Sequence, residues 1–334
     1  MFKPLATLAL IASFTVISPS SAREVRVYSG RHYNTDRQVF KTFSKKTGIK
    51  VRLIEATGIS LVERLKREGA KSNADVILLV DAARINNAAE EGLLKPIQSN
   101  QLKKDIPALY RDPQGRWFGL TRRVRSIVVN PGIVDPKKIK TYADLANPRF
   151  KGKLCLRNRK NVYNQSLVAD QIILKGETSA QNWVKGMTKN VTQPYFTGDT
   201  SLIRSVGRGE CAIGVVNHYY LARMQSGASG KNDQNLANNI RLIMPKPAHV
   251  NISAAGVAKS AKNLSEAIEL IEFLASSQGS SAMAGPTHEY PLKGFGSSEQ
   301  LKAFGPFTPD NVSINSLGRT QKKAVHMMAQ EGWR

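Results

Sequence analysis

The sequence predicts two α/β lobes joined by two crossing strands. Three observations predict it. Strand-type apolar runs alternate with helix-period segments over 25–91. The same alternation restarts after an apolar run at 123–129. A second apolar run at 252–258 is placed to return to the first region.

Each element has a local reason. Residues 25–29 alternate as a strand, and Gly30 ends it. Val39, Phe40 and Phe43 recur at helical spacing within 36–47, and Gly48 supplies a stop. A second strand follows at 49–54, then a helix over 60–68 with Ser60 as its cap and Gly69 as its end. The unbroken run at 75–80 reads as a buried parallel strand, followed by a helix over 82–91. The pattern changes near Gly119, and 123–129 reads as a crossing strand. Strands are expected at 153–156 and 211–216, with helices over 165–175, 180–188 and 200–207 between them. Polar 232–239 reads as an exposed loop, 240–244 as the start of the return path, and 252–258 as the second crossing. An amphipathic helix over 264–275, a loop over 294–310 and a final helix over 316–331 complete the chain. The expected organisation is residues 1–22 as a signal peptide, 23–122 plus 250–300 as lobe one, and 123–249 as lobe two. Residues 301–334 form a C-terminal helical segment.

The start of the chain carries Lys3, an apolar run over 5–17 and the small residues Ser20, Ser21 and Ala22. That order predicts a secretory signal peptide cut after Ala22, and hence a periplasmic, soluble product. The apolar run is short for a membrane span. In an oxidising compartment Cys155 and Cys211 are expected to pair, two buried thiols being the alternative. The formal net charge is +24, spread in clusters such as Arg122-Arg123-Val124-Arg125 and Arg157 to Lys160. This balance favours an anionic partner or membrane surface. Export and the lack of any nucleic-acid motif argue against nucleic acid. A cationic setting is also expected to ease phenolate formation.

The chemistry is carried by tyrosines. Tyr219 and Tyr220 end the run Gly214-Val215-Val216-Asn217-His218-Tyr219-Tyr220. Tyr33 follows the first strand in Gly30-Arg31-His32-Tyr33, and Tyr163 stands in a polar loop after Arg159-Lys160-Asn161-Val162. Phenolate oxygen is a hard anionic donor suited to small, highly charged cations. With nine tyrosines in the chain, half-buried packing is the competing account of each. Strand ends and helix starts face the cleft of a two-lobe protein, and these tyrosines all hold such positions. No Gly-x-Ser-x-Gly elbow, His-Glu-x-x-His pair or P-loop occurs, so the chain is not expected to be an enzyme.

Four segments carry a family resemblance. They are Val27 to Tyr33, Ala74-Asp75-Val76, Tyr142 to Lys153, and Gly209 to Tyr220. Over nearly the whole chain beyond residue 22, the sequence resembles the ferric-iron-binding periplasmic proteins, in particular the kind serving cyanobacterial iron-uptake ABC transporters. The resemblance implies a two-lobe type II (Venus flytrap) fold with an interlobe cleft, closing as a monomer on Fe(III) and handing it to an ABC permease in the inner membrane. It implies Tyr33, Tyr163, Tyr219 and Tyr220 as ligands. His32 is implied as a fifth ligand or as a donor orienting its neighbours. Four phenolates outweigh a trivalent ion by one charge, so a nearby cation is expected. Arg223, three residues beyond Tyr220, shares its face if that stretch is helical, with Arg123 as a weaker partner across the cleft. His218 is expected to point away from the cleft. Fe(II), or iron carried as a chelate, is also compatible with these residues. A binding protein for an anion such as phosphate or sulfate is the alternative: it would use helix N-termini rather than phenols.

Overall fold

The computed structural model describes residues 23–31, 33–192 and 194–334. The expected signal peptide, its cut after Ala22, and His32 lie outside the described residues.

Strand β1 (Glu24–Ser29) pairs in parallel with β2 (Lys50–Glu55) and β3 (Val76–Val80). Helix α1 (Asp36–Thr47) buries Val39, Phe40 and Phe43 and ends at Gly48, whose φ of 74° a side chain would oppose. Helix α2 (Gly58–Glu68) starts before Ser60. Its cap is Thr57, which accepts from the Ser60 backbone N–H, so Ser60 lies inside the first turn. Helix α3 (Ala82–Glu90) is capped by Asp81. Strand β4 (Leu94–Lys95) and helix α4 (Asn100–Asp105) are too short for periodicity to reveal.

Strand β5 (Phe118–Val129) is buried along its whole length and begins five residues before the expected 123. Its first half pairs antiparallel with β9 (Val250–Ala258) and with β10 (Tyr290–Pro291). Its second half pairs antiparallel with β7 (Ile213–Asn217) and β8 (Arg241–Ile243). Strand β6 (Leu154–Cys155) lies parallel to β7. The order is β2-β1-β3-β9-β5-β7-β6, so β5 belongs to both halves of the sheet system. Strand β9 runs antiparallel between β3 and β5, which a buried apolar run cannot reveal by itself.

The helices beyond β6 position the site. Helix α5 (Val162–Lys175) begins at Asn161, whose side chain accepts from the Asn164 N–H. Tyr163 therefore sits in the first turn of a helix and not in the loop expected there. Helices α6 (Glu177–Asn190) and α7 (Asp199–Arg208) follow, and α8 (His218–Gln225) begins directly after β7. The loop expected over 232–239 is instead helix α9 (Lys231–Asn238). Its sequence is almost wholly polar, but it buries Asp233 and Ala237, and Arg204 donates to Asp233 at 2.7 Å. Tertiary pairing holds a helix that has no apolar stripe. Helix α10 (Leu264–Ala275) has the expected limits, and α11 (Ser277–Ala284) follows it. Helix α12 (Glu299–Phe304), capped by Ser298, interrupts the expected loop over 294–310. Helix α13 (Ile314–Gln330) packs against α5 and α3.

Cys155 and Cys211 form a disulfide with Cα atoms 6.0 Å apart. It ties β6 to the segment entering β7, the strand that leads to the tyrosine pair. The sequence separation is 56 residues, so chain entropy assigns the bond about 4 kcal/mol. Replacing both cysteines by serine is expected to lower the urea-unfolding free energy by about 2–4 kcal/mol, read from paired denaturation curves. Among the described residues no helix is long and apolar enough to cross a membrane.

Candidate metal centre

Each tyrosine reaches the site from the end of an element. Tyr33 stands between β1 and α1, Tyr163 in the first turn of α5, and Tyr219 and Tyr220 in the first turn of α8. Strand β7 delivers α8 from the buried run Ile213–Asn217, so the abrupt strand-to-helix junction aims two successive phenols. The Tyr219 and Tyr220 rings stack with centroids 4.4 Å apart. Asn217 donates to the Tyr219 hydroxyl at 3.5 Å.

The structure brings the four tyrosines together. Arg223 on α8 lies with its guanidinium carbon 5.5 Å from the Tyr33 ring, 5.7 Å from Tyr219 and 5.8 Å from Tyr220. One cation thus faces three of the four rings, and helical spacing puts it there. Arg123 and Arg157 lie 5.9 and 5.8 Å from the Tyr163 ring. Arg31 lies 4.8 Å from the Tyr33 ring.

Electrostatics show the same convergence. Burial pushes the Tyr33 phenol up to about 12, with Glu289 and Tyr163 adding to the rise while Arg31 and Arg123 oppose it. Burial likewise raises Tyr219, and Tyr163, Tyr220 and Tyr33 raise it further. Tyr220 is raised by burial, then by Tyr163 and Asp199. The arginines were expected to ease phenolate formation. Desolvation outweighs them, so these three phenols hold their protons at neutral pH.

A buried ionic layer supports the site, and sequence reasoning missed most of it. Arg31 and Glu289 are fully buried and joined at 2.7 Å, and Arg31 also donates to Asp36 at 2.8 Å, to Thr121 at 3.1 Å and to Ser253 at 2.7 Å. Arg123, expected near the tyrosines, is 1% exposed. It donates to Ser253 at 2.7 Å, lies 3.9 Å from Glu289, and leaves Nε and Nη1 without partners. Glu289 reaches Arg31 from more than 250 residues away, by the pairing of β10 with β5, and no local pattern marks it. Asp199 pairs with Arg125 at 3.0 Å and Arg157 at 3.5 Å, and its charge reaches Tyr220.

His218 is buried and turned away. Its Nδ1 accepts the Val124 N–H at 3.1 Å, so Nε2 carries the proton donated to the His288 carbonyl at 2.9 Å. Burial pushes its pKa down to about 3 and keeps it neutral. Both nitrogens are occupied, so neither can bind a metal.

Sheet halves sharing β5, with polar side chains gathered where strands end and helices begin, define a solute-binding protein of the type II periplasmic fold. The chain belongs to the family of bacterial extracellular solute-binding proteins, which matches residues 71–308. Within it, the chain is similar to iron-uptake proteins. It is 39% identical to iron uptake protein A1 of Synechocystis, over 95% of this chain and 89% of that protein. It is 29% identical to the Fe(3+)-binding periplasmic protein of Serratia marcescens, over 98% of this chain and 97% of that protein. The structure of the Trichodesmium IdiA (FutA) protein in complex with iron and citrate superposes with a TM-score of 0.90. It is 40% identical, with 93% of this chain and all of that one covered.

Proposed function

We propose that this protein captures Fe(III) in the periplasm through the phenolates of Tyr33, Tyr163, Tyr219 and Tyr220 and delivers it to an ABC permease for import. The observation that carries the reading is the set of four phenols gathered around arginine and electrostatically coupled to one another. Hard anionic oxygens suit a small trivalent cation. Ferrous iron, the other candidate cargo, finds no support in this donor set or in the relatives' names. Arg223 offsets the one negative charge by which four phenolates exceed Fe(III). Strands β5 and β9, expected as the two crossings between lobes, are the natural hinge for closure over the ion.

Titrating the iron-free chain with ferric citrate tests the reading. One equivalent per chain and a visible phenolate-to-iron band are the expected result. A colourless titration, together with phosphate or sulfate binding in its place, would instead favour the anion-binding alternative. Each phenol that ligates must lose its proton, so binding releases protons. Tyr33, Tyr219 and Tyr220 are held above the ordinary tyrosine value, so protons compete with the metal for them. Affinity is therefore expected to fall as pH falls, by up to about four decades per pH unit if all four phenols ligate. Iron competition at stepped pH values measures the slope, and a slope near zero would exclude phenolate ligation.

A further inference from the structure

A second cluster of donors lies outside the tyrosine cleft, on α5, at the start of β9 and in the segment before α13. We propose that Asp170, His249 and Asp310 form a buried site for a divalent transition metal of the zinc class, independent of the iron cargo. One donor atom from each residue lies within 4.8 Å of the other two. His249 Nδ1 is 3.5 Å from Asp170 Oδ1 and 3.9 Å from Asp310 Oδ2. Those separations are too long for hydrogen bonds, which run to about 3.2 Å. Metal–donor bonds of about 2.1 Å hold neighbouring ligands roughly 3.0–3.4 Å apart, so small rotamer shifts would close the set around an ion.

The unmet valences point the same way. Asp170 Oδ1, Asp310 Oδ2 and both ring nitrogens of His249 have no hydrogen-bond partner, and all three side chains are at most 3% exposed. Unpaired buried polar atoms are costly and rare. Their other oxygens are taken: Asp170 Oδ2 accepts from Gln171 at 2.9 Å and Asp310 Oδ1 from the Val312 N–H at 3.0 Å. Charge adds a further reason. Among the described residues no lysine or arginine forms an ion pair with Asp170 or Asp310, and Asp81 contributes another buried negative charge facing His249. Burial and Asp170 push the Asp310 carboxyl up to about 7, and Asp170 raises His249 against burial, so a divalent cation would take the place of the protons that now offset this charge. Two carboxylates and an imidazole are ligands that zinc accepts, with a fourth position left for water.

The position gives the ion a task. His249 accepts the Arg125 N–H through its carbonyl, and Asp310 donates its N–H to the Ala248 carbonyl at 3.0 Å. A bound ion would join α5, the start of β9 and the strap before α13 where β5 and β9 run together. Asp170 lies seven residues beyond Tyr163 on α5, about 10 Å along the helix, so the site braces a tyrosine-bearing helix without touching iron.

The test uses the full mature chain, refolded with Zn2+ or with a chelator and then dialysed. The expected result is one zinc per chain by elemental analysis, tetrahedral Co2+ absorption on cobalt substitution, and a higher melting temperature with metal. The Tyr219→Phe/Tyr220→Phe double variant should keep the zinc, and Asp310→Asn should weaken it at least about 10-fold. If Asp310→Asn does not fold, Asp170→Asn serves in its place, and zinc retained by the tyrosine double variant still separates this site from the iron cleft. No zinc in wild type, with the same melting temperature in zinc and chelator, would overturn the site and leave a proton-sharing triad. Zinc lost in the tyrosine variant but kept in both aspartate variants would place the ion in the iron cleft and equally overturn it.

Discussion

Tyr219→Phe and Tyr220→Phe are each expected to weaken Fe(III) binding by at least about 100-fold and to remove or shift the visible band. The iron-free fold should be nearly unchanged. Each substitution deletes one oxygen and keeps the ring, so the stack between Tyr219 and Tyr220 survives. Tyr219 is the sharper case. It is 1% exposed, and its hydroxyl accepts a weak hydrogen bond from Asn217 at 3.5 Å. Removing that hydroxyl takes from the buried Asn217 amide only a hydrogen bond at the 3.5 Å limit, a small stability cost beside the loss of a ligand oxygen. Ferric titration followed at the band maximum, beside urea unfolding of the iron-free variants, makes the measurement. Full affinity with an unaltered spectrum in both variants would remove the tyrosine pair from the site.

The largest effect on stability is expected at Glu289. Burial alone would raise its carboxyl, but Arg31 and Arg123 outweigh burial and hold it below the ordinary value. Glu289→Ala leaves Arg123 without a carboxylate and Arg31 with Asp36 alone. Uncompensated buried charge of this kind costs about 3–5 kcal/mol. The pH dependence follows from the sign of the shift. A depressed carboxyl contributes stability above its unfolded pKa, and that contribution is lost as pH falls through its folded value. The wild-type minus Glu289→Ala difference in unfolding free energy should therefore be full at neutral pH and shrink in acid. Glu289→Gln adds a functional readout. Glu289 is one of the groups that raise Tyr33, so its neutralisation should let iron persist to lower pH. Equal unfolding curves for wild type and both variants across pH would show that the ionic layer contributes nothing.

Much of this protein was legible in its local patterns. The alternation at β1, the apolar run at β3 and the spacing within α1 and α10 each follow from short-range periodicity, and their limits fall within a residue or two of expectation. Tyr219 and Tyr220 were legible for the same reason, because a strand that ends in a helix start presents adjacent residues together. Arg223 was legible from helical spacing alone. Helix α9 was not, since its polar sequence has no stripe and Arg204 from another helix supplies its anchor.

The sequence by itself determined the class of fold, the two cysteines available for pairing and the residue types able to hold a hard cation. Only the tertiary structure decided what surrounds them. It set β9 antiparallel between β3 and β5, brought Glu289 and Arg31 near Tyr33, and collected Asp170, His249 and Asp310 in one buried place. The physical reason is range. Periodicity and capping act over a few residues, whereas burial and Coulomb interaction depend on distance in space, which the order of residues along the chain does not contain. The same reason explains why the phenols of Tyr33, Tyr219 and Tyr220 stand above their ordinary pKa and not below it. The arginines could be counted in the sequence, but the desolvation that outweighs them exists only once the chain has folded around the site.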